Sequence, residues 1–213
     1  MPQKASREYR SMTLRAIADD EEERKAVSGY ASTFDELYTL YEDDDLIYLE
    51  KVGRTAFDNT DMGDVIMQYN HEGRVFARTS NETLRVSTDD KGLFIEADLG
   101  GTEIGRELYE EIRGGYTNKM SFGFLVSDDV EDRTELDDGR IEIIRTITGI
   151  SKLFDVSAVS IPANNGTSIG VATRSRIDGV IEEVQAERLE AEKRELERLR
   201  VAVRTKAMLG GNK

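Results

Sequence analysis

The sequence predicts an α+β fold: short, mostly antiparallel strands with a few helices, followed by a separate helical tail. Three observations carry this. Short runs rich in β-branched and aromatic residues recur between Gly, Asp and Asn breaks from residue 9 to residue 161. One stretch, Glu103 to Arg113, switches to helical spacing, with Ile104, Leu108 and Ile112 on one face. After Arg176 the composition turns to strong helix formers without proline. The expected organisation is a flexible N-terminus over 1–8, one domain over 9–176 and a charged helical tail over 177–213.

Taken in order, Tyr9 to Ile17 alternates as a strand, and Lys25 to Phe34 is expected to pair with it. Between them Asp19-Asp20-Glu21-Glu22-Glu23 is a self-repelling run expected in an exposed turn; it lacks the ligand spacing of a calcium loop. Asp35 to Asp45, acidic and tyrosine-containing, reads as a loop. Leu46 to Val52 reads as a strand and Thr55 to Asp58 as one helical turn. Asp64 to Tyr69, Val75 to Thr79, Leu84 to Ser87 and Leu93 to Leu99 read as further short strands. Asp89-Asp90-Lys91-Gly92 has hairpin-turn chemistry, because Asp and Gly tolerate positive φ. Thr102 is placed to cap the helix, and Gly114 to end it. Asp128 to Gly139 reads as an acidic loop, Ile141 to Ile150 and Leu153 to Ile161 as strands, and Pro162 as the end of the ladder. In the tail, Leu189, Leu196 and Val203 repeat at seven-residue steps within a narrow apolar stripe, and 210–213 read as a loose end.

Composition narrows the function classes. The chain has 213 residues and a formal net charge of −14. From Ile177 onward eight acidic side chains balance eight basic ones, so residues 1–176 carry the whole excess. Such a surface repels phosphates, which argues against a nucleic-acid partner. Cysteine is absent, which excludes a disulfide framework, a thiol nucleophile and a thiolate metal site. No apolar run approaches the roughly 20 residues of a membrane helix, and the N-terminal residues lack the apolar core of a signal peptide. The expectation is a cytoplasmic protein with no membrane partner.

Three stretches carry candidate chemistry. In Asn118 to Phe124 a strand phase places Tyr116, Met120, Phe122 and Phe124 on one face, and Ser121 and Gly123 on the other. A serine with a glycine two residues on has little steric cover, as an attacking hydroxyl requires. His71, the chain's single histidine, stands where the apolar run Val65 to Tyr69 gives way to a turn. Imidazole is the usual base for a serine hydroxyl near neutral pH. Asp155 is the one carboxylate inside the apolar run Leu153 to Ile161. It can fix the tautomer of a histidine, or instead pair with Lys152 or an arginine. Ser157 and Ser160 are alternative hydroxyls on the same strand. Arg145, Lys119 and the backbone after Arg140 are loose candidates for oxyanion donors. One histidine and scattered carboxylates make a poor zinc site, so no metal or cofactor is implied.

Read together, Gly29-Tyr30-Ala31-Ser32-Thr33-Phe34, Gly53 to Phe57, Asn70-His71, Gly92-Leu93, Ser121-Phe122-Gly123-Phe124 and Leu153 to Asn164 resemble, in that order, the prohead (capsid maturation) serine proteases of tailed bacteriophages. The resemblance spans roughly residues 10–172. It implies a small, mostly antiparallel β-barrel related to the herpesvirus assemblins. It implies Ser121 as nucleophile, His71 as general base and Asp155 as third member; the family often has Glu at that last position. The absence of a second histidine excludes the Ser-His-His arrangement of assemblins. The implied substrates and partners are the major capsid protein with its scaffold or delta segment, and the protease itself as dimer or self-cleaving precursor, within the assembling procapsid in the host cytoplasm. Two rivals stand beside this: a non-enzymatic capsid assembly factor with the same fold, and an unrelated acidic β-barrel that binds a partner.

Overall fold

A computed structural model describes residues 8–16, 25–160 and 171–210. The readings for 1–7, for the acidic run after Ala16, for Pro162 and for the last three residues lie outside the described residues. The chain divides into two compact units, Met1–Arg174 and Ser175–Lys213.

The first unit contains strands β1 (Glu8–Ala16), β2 (Ala26–Thr33), β3 (Tyr38–Glu42), β4 (Leu46–Val52), β5 (Ile66–Tyr69), β6 (Glu72–Arg78), β7 (Leu84–Thr88), β8 (Gly92–Asp98), β9 (Lys119–Glu135) and β10 (Ile141–Val159), with helix α1 (Glu103–Arg113) between β8 and β9. The sheet order is β3-β4-β10-β9-β1-β2-β8-β7, with β5 attached to β10 and β6 to β5. The fold is α+β, but the implied barrel does not close: β3 and β7 end the order, and no hydrogen-bonded ladder joins them. Strand β10 is the spine. It pairs with β9 along its length, and in parallel with β4 over Ile141 to Ile147 and with β5 over Asp155 to Ala158.

The pairing of β1 with β2, the Asp89 turn and the capped helix agree with the sequence reading. Asp89 Oδ1 accepts the amides of Lys91 and Gly92 at 2.8 and 3.0 Å, closing the β7–β8 hairpin. Thr102 Oγ1 accepts the Gly105 amide at 3.1 Å. A Cβ at Gly105 would lie 2.3 Å from the Leu99 carbonyl, so the first turn of α1 needs glycine to sit this close to the end of β8. The apolar face of α1 buries Leu108 and Ile112 in a core shared with Val27, Met67, Ile95, Phe122 and Val156.

Four readings are corrected. Residues 35–45 contain strand β3, paired with β4. Thr55 to Asp58 form successive turns, not a helix, with Ala56, Asp58 and Thr60 amides each bonded to the carbonyl three residues back. The acidic run Asp128 to Glu135 is strand, because β9 continues to Glu135 against β10 and leaves only a short turn to Ile141. Apart from Asp129, which turns in to Arg145, its charged side chains are exposed while its backbone is paired, so charge did not mark a loop. Ile141 to Val159 is one strand rather than two.

A buried ionic cluster crosses these strands. Arg10 binds Glu50 at 2.5 and 2.6 Å and Glu8 at 2.8 Å; Arg145 binds Glu8 and Glu50 at 2.8 Å and Asp129 at 2.6 Å. The Tyr38 hydroxyl donates to Glu50. Two guanidiniums face three carboxylates, and burying them is tolerable only because each has several partners.

The second unit is the body of helix α2, which runs Val171–Gly210. Leu189, Leu196, Leu199, Val201 and Val203 are exposed on it. Among the described residues no helix is long and apolar enough to cross a membrane.

Candidate active site

The register of β9 on β10 brings the candidate residues to one face. Ser121 lies directly opposite Ser157, and Gly123 opposite Asp155. The next residues in each strand, Phe122 and Val156, point to the other face and into the core. Directly paired side chains on one sheet face have Cβ atoms about 5 Å apart, so Ser121 and the Asp155–Ser157 pair are neighbours.

A β-bulge makes this possible. Leu153 pairs with Phe124 and Asp155 with Gly123, so Phe154 is an extra residue on β10. Leu153 belongs to the apolar core. In an unbroken strand Asp155, two residues on, would follow it there. The bulge resets the phase and turns the carboxylate to the opposite face. Its partner position, Gly123, has no side chain to crowd it.

His71 arrives from the β5–β6 hairpin. Tyr69 pairs with Glu72 across a two-residue turn in which Asn70 and His71 have φ of 51° and 62°. That is the turn geometry matched to strand twist, and Asn is one of its preferred residues. A histidine held at positive φ is uncommon, and such backbone is concentrated at functional sites. From there the imidazole Nδ1–H donates to Asp155 Oδ1 at 2.5 Å. Asp155 is fully buried, whereas the His71 side chain is 17% exposed. The Ser157 hydroxyl also donates to Asp155 Oδ1, at 2.8 Å. With Nδ1 carrying the proton, Nε2 is the basic nitrogen of the ring.

Ser121 is 1% exposed, against the expectation of an open hydroxyl. Its Oγ has no hydrogen-bond partner, so the Ser121–His71 bond is not formed in this structure. Met120, Phe122 and Phe124 fill the core on one face, and Ser121 and Ser157 are buried together on the other. Tyr116 does not share the core face with those three, because the strand starts at Lys119 and Tyr116 is 85% exposed. Asp155 pairs with His71 rather than with Lys152, whose ammonium binds Asp61 at 2.8 Å. Arg145 is committed to Glu8, Glu50 and Asp129 and is not an oxyanion donor. Among the described residues no group of three or more His, Asp or Glu side chains is arranged to hold a metal ion.

Comparison with family models gives a match over residues 11–180 to the caudovirus prohead serine protease family. The chain belongs to that family. The matched region takes in His71, Ser121 and Asp155, and it ends early in α2. Membership supports a protease role in capsid maturation, inside the phage procapsid and among its capsid components. Comparisons with curated proteins and with solved structures found no match. Two neighbours of the pair were not singled out from the sequence for what they do here: Ser157 as a donor to Asp155, and Asn70 as the residue before His71. The Asn70 preference for positive φ was the available signal.

Proposed function

We propose that this prohead protease is a serine endopeptidase in which Ser121 is the nucleophile, His71 the general base and Asp155 the group that orients the imidazole. The observation that supports it most is the His71–Asp155 hydrogen bond on the face that also carries Ser121. In the reaction Ser121 Oγ attacks the peptide carbonyl carbon while His71 Nε2 takes the hydroxyl proton. The C–N bond breaks as the imidazolium returns that proton to the leaving amine. Water then hydrolyses the acyl-enzyme with the same base. Asp155 accepts Nδ1–H throughout and offsets the positive charge on the ring. Attack requires the Ser121 hydroxyl to be uncovered and to reach Nε2, a tightening expected on substrate binding.

The proposed substrates are the scaffold or delta segment of the phage's major capsid protein and the protease's own chain, with the tail 177–213 removed by self-cleavage. Co-expression with that capsid protein tests this. Wild type yields shortened capsid protein by intact mass, and Ser121→Ala leaves it full length. Full-length capsid protein with both, still co-purifying with this chain, would favour the non-enzymatic assembly factor.

A further inference from the structure

We infer that Asn70 is a positioning residue for His71, acting by bracing the β5–β6 turn against the end of β10; the inference rests on the catalytic reading of His71. Three hydrogen bonds make the brace. The Asn70 amide donates to the Ala158 carbonyl at 2.9 Å. Asn70 Oδ1 accepts the Ser160 backbone N–H at 3.1 Å and the Ser160 hydroxyl at 3.3 Å. The backbone N–H can only donate, which identifies the accepting atom as the amide oxygen. Ala158 and Ser160 follow Asp155 and Ser157 along the chain, at the end of β10. The brace therefore ties the residue before His71 to the same strand that carries its carboxylate partner.

The brace has work to do. A two-residue turn leaves the direction of His71 dependent on two successive positive-φ residues. Asn tolerates that conformation far better than most residues. The Nδ1–Oδ1 bond then spans from turn to strand at 2.5 Å. A displacement of about 1 Å at such a site is enough to lower rates about a hundredfold. Asn70 is exposed, so its side chain contributes little packing to the fold.

The variants separate backbone from side chain. Asn70→Ala loses both the positive-φ tolerance and the acceptor. Asn70→Gly keeps the turn and loses the acceptor. Asn70→Asp keeps both. Two readouts apply to purified full-length protein. The first is inactivation by diisopropyl fluorophosphate, resolved into kinact and KI. The second is the imidazole ¹⁵N spectrum, which has a single source because the chain has one histidine.

The expected result for Asn70→Ala is a kinact lowered about ten- to a hundredfold with KI unchanged, and a ring that no longer holds the Nδ1–H tautomer alone. Asn70→Gly falls between, and Asn70→Asp stays near wild type in both. Wild-type kinact and spectra in Asn70→Ala and Asn70→Gly would overturn the inference. So would an Asn70→Asp as impaired as Asn70→Ala, since that removes the acceptor from the explanation. If wild type neither reacts nor processes the capsid protein, the catalytic reading fails, and the imidazole spectra alone decide whether Asn70 orients the ring.

Discussion

His71 Nδ1 and Asp155 Oδ1 meet at 2.5 Å although 84 positions separate them in the sequence. One comes from a hairpin turn and the other from a bulged strand, and the bond closes the space between them. The Ser157 hydroxyl reaches the same carboxylate oxygen. A buried carboxylate needs such donors, and here both lie on the face of Ser121.

Replacing Asp155 by Asn keeps the shape of the site but presents an amide where the ring needs an acceptor. The imidazole then favours the wrong tautomer. Turnover is expected to fall by about 10³- to 10⁴-fold with KM little changed. Rates of capsid-protein processing in wild type and Asp155→Asn give the comparison.

Ser157→Ala removes one donor from Asp155 without adding bulk. The expected cost is about 1–2 kcal/mol of stability, from a buried acceptor losing one partner. The hydroxyl of the proposed nucleophile, Ser121, is untouched, so processing is expected to continue at a reduced rate. Complete loss of processing in a well-folded Ser157→Ala protein would transfer the nucleophile's role to Ser157. Urea titrations and processing assays on the same preparation separate the two.

Shortening β10 at the bulge tests the phase argument. Deleting Phe154 makes Asp155 follow Leu153 directly, so regular alternation keeps it opposite Gly123 on the face of Ser121, and the deletion should retain processing. Phe154→Ala keeps the extra residue and should retain processing. Loss of processing in a well-folded deletion protein, with Phe154→Ala active, would show that strand phase does not set the carboxylate's direction.

The ionic cluster predicts both a mutational and an acid sensitivity. Arg145→Met leaves Glu8, Glu50 and Asp129 short of a partner and should destabilise by about 3–5 kcal/mol. Burial of Glu8 raises its pKa, but the Arg145 hydrogen bond and the charges of Arg10 and Arg145 outweigh it and hold the carboxyl below its ordinary value of 4.5. The unfolded chain therefore binds the proton more readily than the folded one. The stability contributed by Glu8 is present above pH 4.5 and is lost as pH falls through the lower folded-state value. Melting temperatures across that range should drop in wild type, and less in Glu8→Gln.

Much of the site is legible in the amino-acid sequence. Period-two alternation places Ser121 away from Phe122 and Phe124, and the turn after Tyr69 places His71 at a strand end. Asp155 stands out as a carboxylate in an apolar run. The features that escape a linear reading are those set by pairing across the sheet. Charge marks Asp128 to Glu135 as a loop, yet pairing with β10 satisfies that backbone and leaves the charged side chains outward except Asp129, which meets Arg145. Tyr38 lies in a stretch that reads as loop, and its hydroxyl reaches Glu50 only because β3 joins β4. The Phe154 bulge has no glycine to announce it, so only the register reveals which face Asp155 takes. The barrel implied by resemblance fails for the same reason, since closure depends on the neighbours of β3 and β7.

Covalent labelling tests the central claim most directly. Full-length protein is treated with diisopropyl fluorophosphate and the adduct is mapped by peptide mass. The account predicts one adduct, on Ser121, absent from Ser121→Ala and greatly slowed in His71→Ala. An adduct on Ser157 or Ser160, or labelling of Ser121 at the same rate without His71, would contradict it.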